Sequence, residues 1–494
     1  MSGCHTTQNT KHQALVQAPP RLVIGAAQGR SGKTTVSLAV TRALRRRGLT
    51  LQCFKKGPDY IDPSWLKVAS GRDCYNLDAF MMAADVVTGS FARRAQGADL
   101  AVIEGAMGLF DGYGNDGKGT VAELARLLRA PIILVINAAR MTRSVAAMVS
   151  GYQHFEPDTP IAGVILNNVS GARHREKLTQ AIETHCAIPV LGAIPKDARL
   201  AISERHLGLV PSVEDPQSQA VLDTISQITE PHLDLDGLLA IARQAPAHTI
   251  EASRADEPHD VRCRIAVVRD RAFSFYYPEN LQALQAAGAE LVFVDSLRDT
   301  RLPDAQGLYI GGGFPELYAA ELQANQGLRA DIGARVEDGL AVYAECAGLM
   351  YLCRAISWQG RRYEMVGVIP AEVELSQRPQ GHGYVEIEAT DENPLFKQGT
   401  VIRGHEFHHS KLIPLGNLKF GYKLRRGHGI DGNVDGVCYK NLFAAYTHLH
   451  ALGTRAWAAK FVALATEKQV RNKEQVKVEV KVKKCKKTML RRPK

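Results

Sequence analysis

A chain of 494 residues, 45% hydrophobic and 23% charged, is long enough for two or three domains with full cores and has the composition of a globular protein. Its nine cysteines form no CxxC pair, which argues against a disulfide framework or a zinc site and for reduced thiols in a cytoplasm. The net charge of +10 is concentrated in one place, because residues 467–494 carry 12 Lys or Arg against 3 Glu and leave only +1 for everything before them.

Residues 1–20 lack a basic start followed by an apolar core, so they are expected to form a loose arm and not a signal peptide. The first strand is expected at RLVIGAA from Arg21, followed by the Gly-rich loop QGRSGKTT and a helix with apolar Val36, Leu38, Val40 and Leu44. Strand, Gly-rich loop and helix in that order predict a phosphate-binding loop, with Ala27 in place of the first glycine of GxxxxGKT. Backbone N–H groups of Gly29, Ser31, Gly32 and Thr35 would cradle ATP phosphates, Lys33 would reach the terminal ones, and Thr34 would bind Mg²⁺. A second strand then runs into LQCFKKGPDYIDPSWL, where Lys55, Lys56, Asp59, Tyr60 and Asp62 surround a Gly-Pro turn at the edge where α/β sheets bind ligands. The next segment of note is NLDAF at Asn76 to Phe80. Residues 99–112, DLAVIEGAMGLFDG, predict a strand ending in Glu104, the first candidate for a metal ligand, with Asp62 or Asp59 second. Asp111 in the following loop serves either the pocket or its own turn. Apolar runs at 131–137, 161–168 and 188–195, separated by helix-length segments, predict a mostly parallel sheet with helices on both faces.

A polar stretch without apolar periodicity places a linker at 244–262, between a domain over 21–243 and a second α/β domain over 263–465. The second domain opens with RIAVVRD at Arg264, then the aromatic segment with Tyr276, Tyr277 and Asn280, then GLYIGGGFPEL. Consecutive Gly311, Gly312 and Gly313 after a strand would let N–H groups approach a developing oxyanion. GLAVYAECAGLMYLC at 339–353 predicts a strand that turns sharply into a helix at Cys346, leaving its thiol at a helix N-terminus, with a pKa that the helix and a nearby histidine would lower. A nucleophilic thiol needs a base. The histidine clusters that stand out are RGHEFHHS at 403–410 and AAYTHLH at 444–450. The low-complexity basic segment 466–494 is expected to be a mostly disordered, solvated appendage, which weighs against nucleic acid as its partner.

The AECAGLMYL segment resembles the nucleophile elbow of class I glutamine amidotransferases, in the form found in the cobyrinate a,c-diamide synthase family. KKGPDYIDP, NLDAF, FSFYYPEN and AAYTHLH resemble further segments of that family in the same order, from about Arg21 to Thr454. The resemblance implies that His448 is the base for Cys346. His450 stands where many class I glutaminases have an acid, so a Cys-His dyad is expected, with the choice between the two histidines open. It also implies that Asp59 and Asp62 lie near metal and substrate, and that His405 and Glu406 line the pocket.

What the resemblance implies is an ATP- and Mg²⁺-dependent ligase. It would turn the a- and c-acetates of cobyrinate or hydrogenobyrinate into amides through an acyl phosphate, using ammonia from glutamine that does not pass through bulk water. Sirohydrochlorin or sirohaem is the alternative acceptor. Two other readings stay open: a phosphate-loop regulatory ATPase with an inert second domain, and a tetrapyrrole carrier on the same fold. No membrane segment is expected, and a homodimer is left open.

Overall fold

The computed structural model describes residues 15–205, 208–252 and 260–467. It divides into two compact units, Met1–Ala255 and Asp256–Lys494, so the boundary falls inside the expected linker. Most of the arm before Leu15 and of the basic tail lies outside the described residues.

The first unit is built on a seven-stranded sheet, all parallel. Its order is Tyr75–Leu77, Leu51–Lys56, Leu100–Glu104, Arg21–Ala26, Ile132–Asn137, Ile161–Val169, Val190–Pro195. Arg21–Ala26 and Leu100–Glu104 are buried end to end and Ile132–Asn137 over its IILVI run, as expected when helices cover both faces. The first strand in sequence, Arg21–Ala26, lies between Leu100–Glu104 and Ile132–Asn137, so the chain winds outward from it in both directions. This is the switch point at which ligands enter open α/β sheets. Two expectations need adjustment. Leu15–Gln17, assigned to the loose arm, pairs antiparallel with Thr249–Glu251, assigned to the linker.

The second unit holds a nine-stranded mixed sheet. Five strands are mutually parallel, in the order Ala289–Val294, Cys263–Val268, Gly307–Ile310, Ala341–Glu345, Leu442–Ala445. Val434–Tyr439, Lys419–Arg426, Gly381–Ala389 and Val401–His408 extend it antiparallel. Clusters of buried aliphatic and aromatic residues pack around the parallel strands, one containing Val342 and Leu349, the other Tyr343, Trp457 and Phe461. A four-stranded sheet made of Arg361–Glu364, Cys353–Trp358, Ile369–Leu375 and Ser410–Pro414 completes the unit. Within the described residues a helix occupies 456–467 and passes the expected domain end at 465. No helix among the described residues is long and apolar enough to cross a membrane.

Candidate active sites

In the first unit the loop after Arg21–Ala26 delivers Lys33 and Thr34 to the first turn of the helix Lys33–Arg46. Gly32 has φ +88°, and a Cβ there would come within 2.0 Å of Asn167 Nδ2, so only glycine fits. Asn167 in turn donates to Ser31 O at 3.0 Å and pins the loop from the strand Ile161–Val169. Ala27 needs no glycine, because it does not adopt a positive φ. Gly29 stands in open space in the same loop, and Thr35 lies in the helix beyond Thr34.

Four charged side chains converge beside this loop. Lys55 Nζ lies 2.5 Å from Asp62 Oδ2, 3.0 Å from Glu104 Oε1 and 3.6 Å from Asp59 Oδ2. Thr34 Oγ1 donates to Glu104 Oε1 at 2.8 Å and to Asp62 Oδ2 at 3.3 Å. The register explains the meeting: Lys55 and Glu104 are partners across adjacent parallel strands, and Asp62 lies in the first turn of the helix Ile61–Ser70 that follows. Asp59 Oδ1 caps that helix by accepting from the N–H groups of Ile61 and Asp62. Asn76 Nδ2 holds the acidic loop by donating to Gly57 O and Asp59 O. Tyr60 precedes the helix, and Lys56 is buried close by.

The electrostatics follow from burial. Desolvation would lower the Lys55 pKa, but Asp62, Glu104 and Asp59 outweigh it and raise it well above the lysine range. Burial, then Lys55, lowers Lys33 against the pull of Glu104, Asp62 and Asp59. Burial raises Asp59 to about 7, with Asp62 adding to it. Burial also raises Glu104, although Lys55 opposes it. For Asp62 the order reverses: burial would raise it, yet Lys55 holds it below the usual carboxylate value. Glu104 Oε2 is buried and has no hydrogen-bond partner. A threonine hydroxyl, a buried uncommitted carboxylate oxygen and a second carboxylate make an oxygen donor set of the kind a hard divalent cation takes together with nucleotide phosphates. No cluster of three His, Cys, Asp or Glu side chains suited to a metal occurs among the described residues. Asp111 is exposed and accepts from Gly108 N at 2.8 Å, closing its own turn, and its charge acts on the buried Lys56.

In the second unit the strand Ala341–Glu345 ends at Cys346, which has φ 47° and ψ −98° and starts the helix Ala347–Leu352. Gly348 makes the sharp turn possible, since a Cβ would lie 2.4 Å from Ile310 O. Cys346 Sγ donates to Phe407 O at 3.8 Å. The expected depression of the thiol pKa is not present: burial first, then Glu316, pushes it up, and a helix of six residues offers little dipole to oppose them. A base is therefore required to make the thiolate.

His448 follows the strand Leu442–Ala445, which pairs with the cysteine's own strand through Glu345 and Ala445. His448 Nδ1 lies 3.4 Å from Glu345 Oε2. His405 stacks on it with ring centroids 4.9 Å apart, and the two residues exchange backbone hydrogen bonds. His405 Nε2 is 2.8 Å from the Tyr277 hydroxyl. His450 faces elsewhere: its Nδ1 accepts from Leu452 N, and its Nε2 lies 3.6 Å from Glu279 Oε1. Glu406 is engaged by the N–H groups of His428 and Gly429. Of the three glycines, Gly311 is corrected as an oxyanion donor, because its N–H donates to the Tyr276 hydroxyl at 2.7 Å. Gly312 lies against His448, where a Cβ would come 2.7 Å from the ring, and Gly313 leaves no room for one beside Ala272 O. Glu345 and Asn167 were missed in the sequence, since the strand pattern shows an ordinary acid and an ordinary asparagine.

Two compact α/β units, one with a phosphate loop and the other with a cysteine elbow, define a nucleotide-binding domain joined to a glutamine amidotransferase. Residues 22–210 match the CobQ/CobB/MinD/ParA nucleotide binding domain, and residues 264–456 match the CobB/CobQ-like glutamine amidotransferase domain. The chain is 46% identical over 446 residues to the cobyrinate a,c-diamide synthase of Magnetococcus marinus, covering 89% of this chain and 96% of that one. It is 41% identical over 454 residues to the synthase of that name from Archaeoglobus fulgidus, covering 91% and 98%. The chain belongs to the cobyrinate a,c-diamide synthase family, and is an ATP-using, glutamine-dependent ligase that forms amides.

Proposed function

We propose that the enzyme converts the a- and c-acetates of cobyrinate or hydrogenobyrinate into amides through an acyl phosphate. The observation that carries this reading is the 46% identity, over 89% of the chain, to a protein named cobyrinate a,c-diamide synthase. A bare carboxylate is a poor electrophile, so the ring's carboxylate oxygen first attacks the γ-phosphorus of ATP and ADP leaves. Lys33 and the loop N–H groups hold the transferred phosphoryl group and spread its charge. Thr34, Asp62 and Glu104 would hold Mg²⁺, which supplies further neutralisation of the phosphates when bound. Lys55 balances the acids that frame the site. Ammonia then attacks the acyl carbon, phosphate departs, and the nitrogen loses a proton to leave the amide.

In the second unit His448 takes the proton of Cys346, and the thiolate attacks the side-chain amide carbon of glutamine. The C–N bond breaks as His448 returns the proton to the departing ammonia, and water releases glutamate from the thioester. Mass spectrometry of the enzyme with ATP, glutamine and each candidate ring tests the reading. Two successive replacements of OH by NH₂ on cobyrinate or hydrogenobyrinate are expected. Amidation confined to sirohydrochlorin or sirohaem would move the substrate to that class, and ATP turnover with no amidated ring would contradict the proposal.

A further inference from the structure

The cysteine-histidine pair lacks an acid where one is usual, two residues past the histidine, because His450 occupies that position. His450 does not substitute for it, being directed at Glu279. A carboxylate nevertheless reaches His448 from another direction. Glu345 is the last residue of the strand Ala341–Glu345, immediately before Cys346, and is 1% exposed. Its Oε1 accepts from the Tyr343 hydroxyl at 2.8 Å and from Leu449 N at 3.1 Å. Its Oε2 accepts from the Tyr309 hydroxyl at 3.2 Å and lies 3.4 Å from His448 Nδ1. Three donors fix the carboxylate, so it meets the imidazole as a preorganised acceptor and not as a mobile side chain.

We infer that Glu345 is the positioning residue of His448, and that the acid of this glutaminase centre comes from the residue before the nucleophile. The inference rests on the reading of Cys346 and His448 as nucleophile and base. The Glu345 carboxylate accepts the Nδ1–H bond and thereby selects the tautomer whose Nε2 lone pair can take the thiol proton. When Nε2 is protonated, the imidazolium is formed beside a fixed negative charge. Glu345 approaches Nδ1, and His405 from the strand Val401–His408 stacks on the ring, kept neutral by burial and by the neighbouring His448 and His450. Glu316 and Asp435 act on the cysteine side. A buried carboxylate is tolerated when donors surround it, and Nδ1–H would add a fourth to the three that already hold Glu345.

Glu345→Gln keeps the shape but offers an amide N–H to Nδ1, which drives the proton to Nε2 and removes the base. Glutamine-dependent kcat is expected to fall by about 10³ to 10⁴, with KM for glutamine little changed and amidation from free ammonium retained. In the unaltered enzyme, ¹⁵N resonances of His448 should report a protonated Nδ1 and a bare Nε2. Glu345→Asp should recover part of the lost rate and move the acid limb of the kcat/KM profile back toward that of the unaltered enzyme. A Glu345→Gln variant with undiminished glutamine-dependent kcat, or a bare Nδ1 in the unaltered enzyme, overturns the inference. Loss of ammonium-dependent amidation in Glu345→Gln would mean misfolding, and the ¹⁵N measurement then decides alone. Cys346→Ser, assayed in parallel, separates the two readings. If it keeps glutamine-dependent activity the cysteine reading falls, whereas if it loses it and Glu345→Gln does not, only the role of Glu345 falls.

Discussion

Lys55 is the residue on which the electrostatics of the first site turn. It is buried among Asp59, Asp62 and Glu104, and removing one partner of a buried ion cluster leaves the others uncompensated. Lys55→Met should therefore lower stability by about 3–5 kcal/mol in urea unfolding, and Mg²⁺ should restore part of the loss by supplying the missing positive charge. Unchanged stability, or no response to Mg²⁺, would contradict the description of the cluster. Lys33 makes a different prediction, because among the described residues no ion pair like those of Lys55 anchors it. Lys33→Ala should abolish amide formation by removing a cation from the transferred phosphoryl group, while glutamine hydrolysis without ATP continues. Normal amidation by that variant would refute the phosphate-loop assignment. The phosphate role of Lys33 was legible in the sequence as a local pattern, but the pairing of Lys55 with Asp62 and Glu104 was not. The distinction comes from the register of Leu51–Lys56 against Leu100–Glu104, a contact across 49 positions of sequence that no local pattern carries.

At the scale of elements, both candidate sites sit where parallel strands end and helices begin, and glycines set how closely the parts approach. Gly312→Ala would place a methyl group 2.7 Å from the His448 ring and 3.2 Å from Phe275 Cβ. The ring must move, and a base misplaced by about 1 Å costs on the order of 10² in rate. Glutamine-dependent kcat should fall accordingly while ammonium-dependent amidation stays, and an unimpaired glutaminase would mean that the ring is not held as described. Asn76→Ala removes two hydrogen bonds that hold the acidic loop to its neighbouring strand. Leaving those carbonyls unsatisfied should cost about 1–3 kcal/mol, measurable by urea unfolding. The elements themselves were readable, because the phosphate loop, the Gly-Pro turn and the cysteine elbow are local patterns with fixed spacing. The oxyanion glycines were only partly so: three glycines in a row promise close approach, but nothing in the sequence says that Gly311 meets the hydroxyl of Tyr276. Glu345 escaped for the same reason, since its partner lies 103 residues away. The pairing of Leu15–Gln17 with Thr249–Glu251 joins segments too polar and too short to announce a strand.

For the whole molecule, two separable chemistries are proposed, amide formation in the unit that holds Lys33 and Glu104, and ammonia release in the unit that holds Cys346 and His448. The size of each unit suits that claim, as each has its own sheet and its own buried core. Amidation rates of Cys346→Ser with glutamine and with free ammonium at slightly alkaline pH, set beside those of Glu104→Ala, test it most directly. A serine hydroxyl, with a pKa far above neutrality, cannot form the glutamyl-enzyme at a useful rate. Cys346→Ser is expected to lose amidation from glutamine and keep it from ammonium, while Glu104→Ala loses both. Glutamine-dependent amidation surviving in Cys346→Ser, or ammonium-dependent amidation lost with it, would contradict the division.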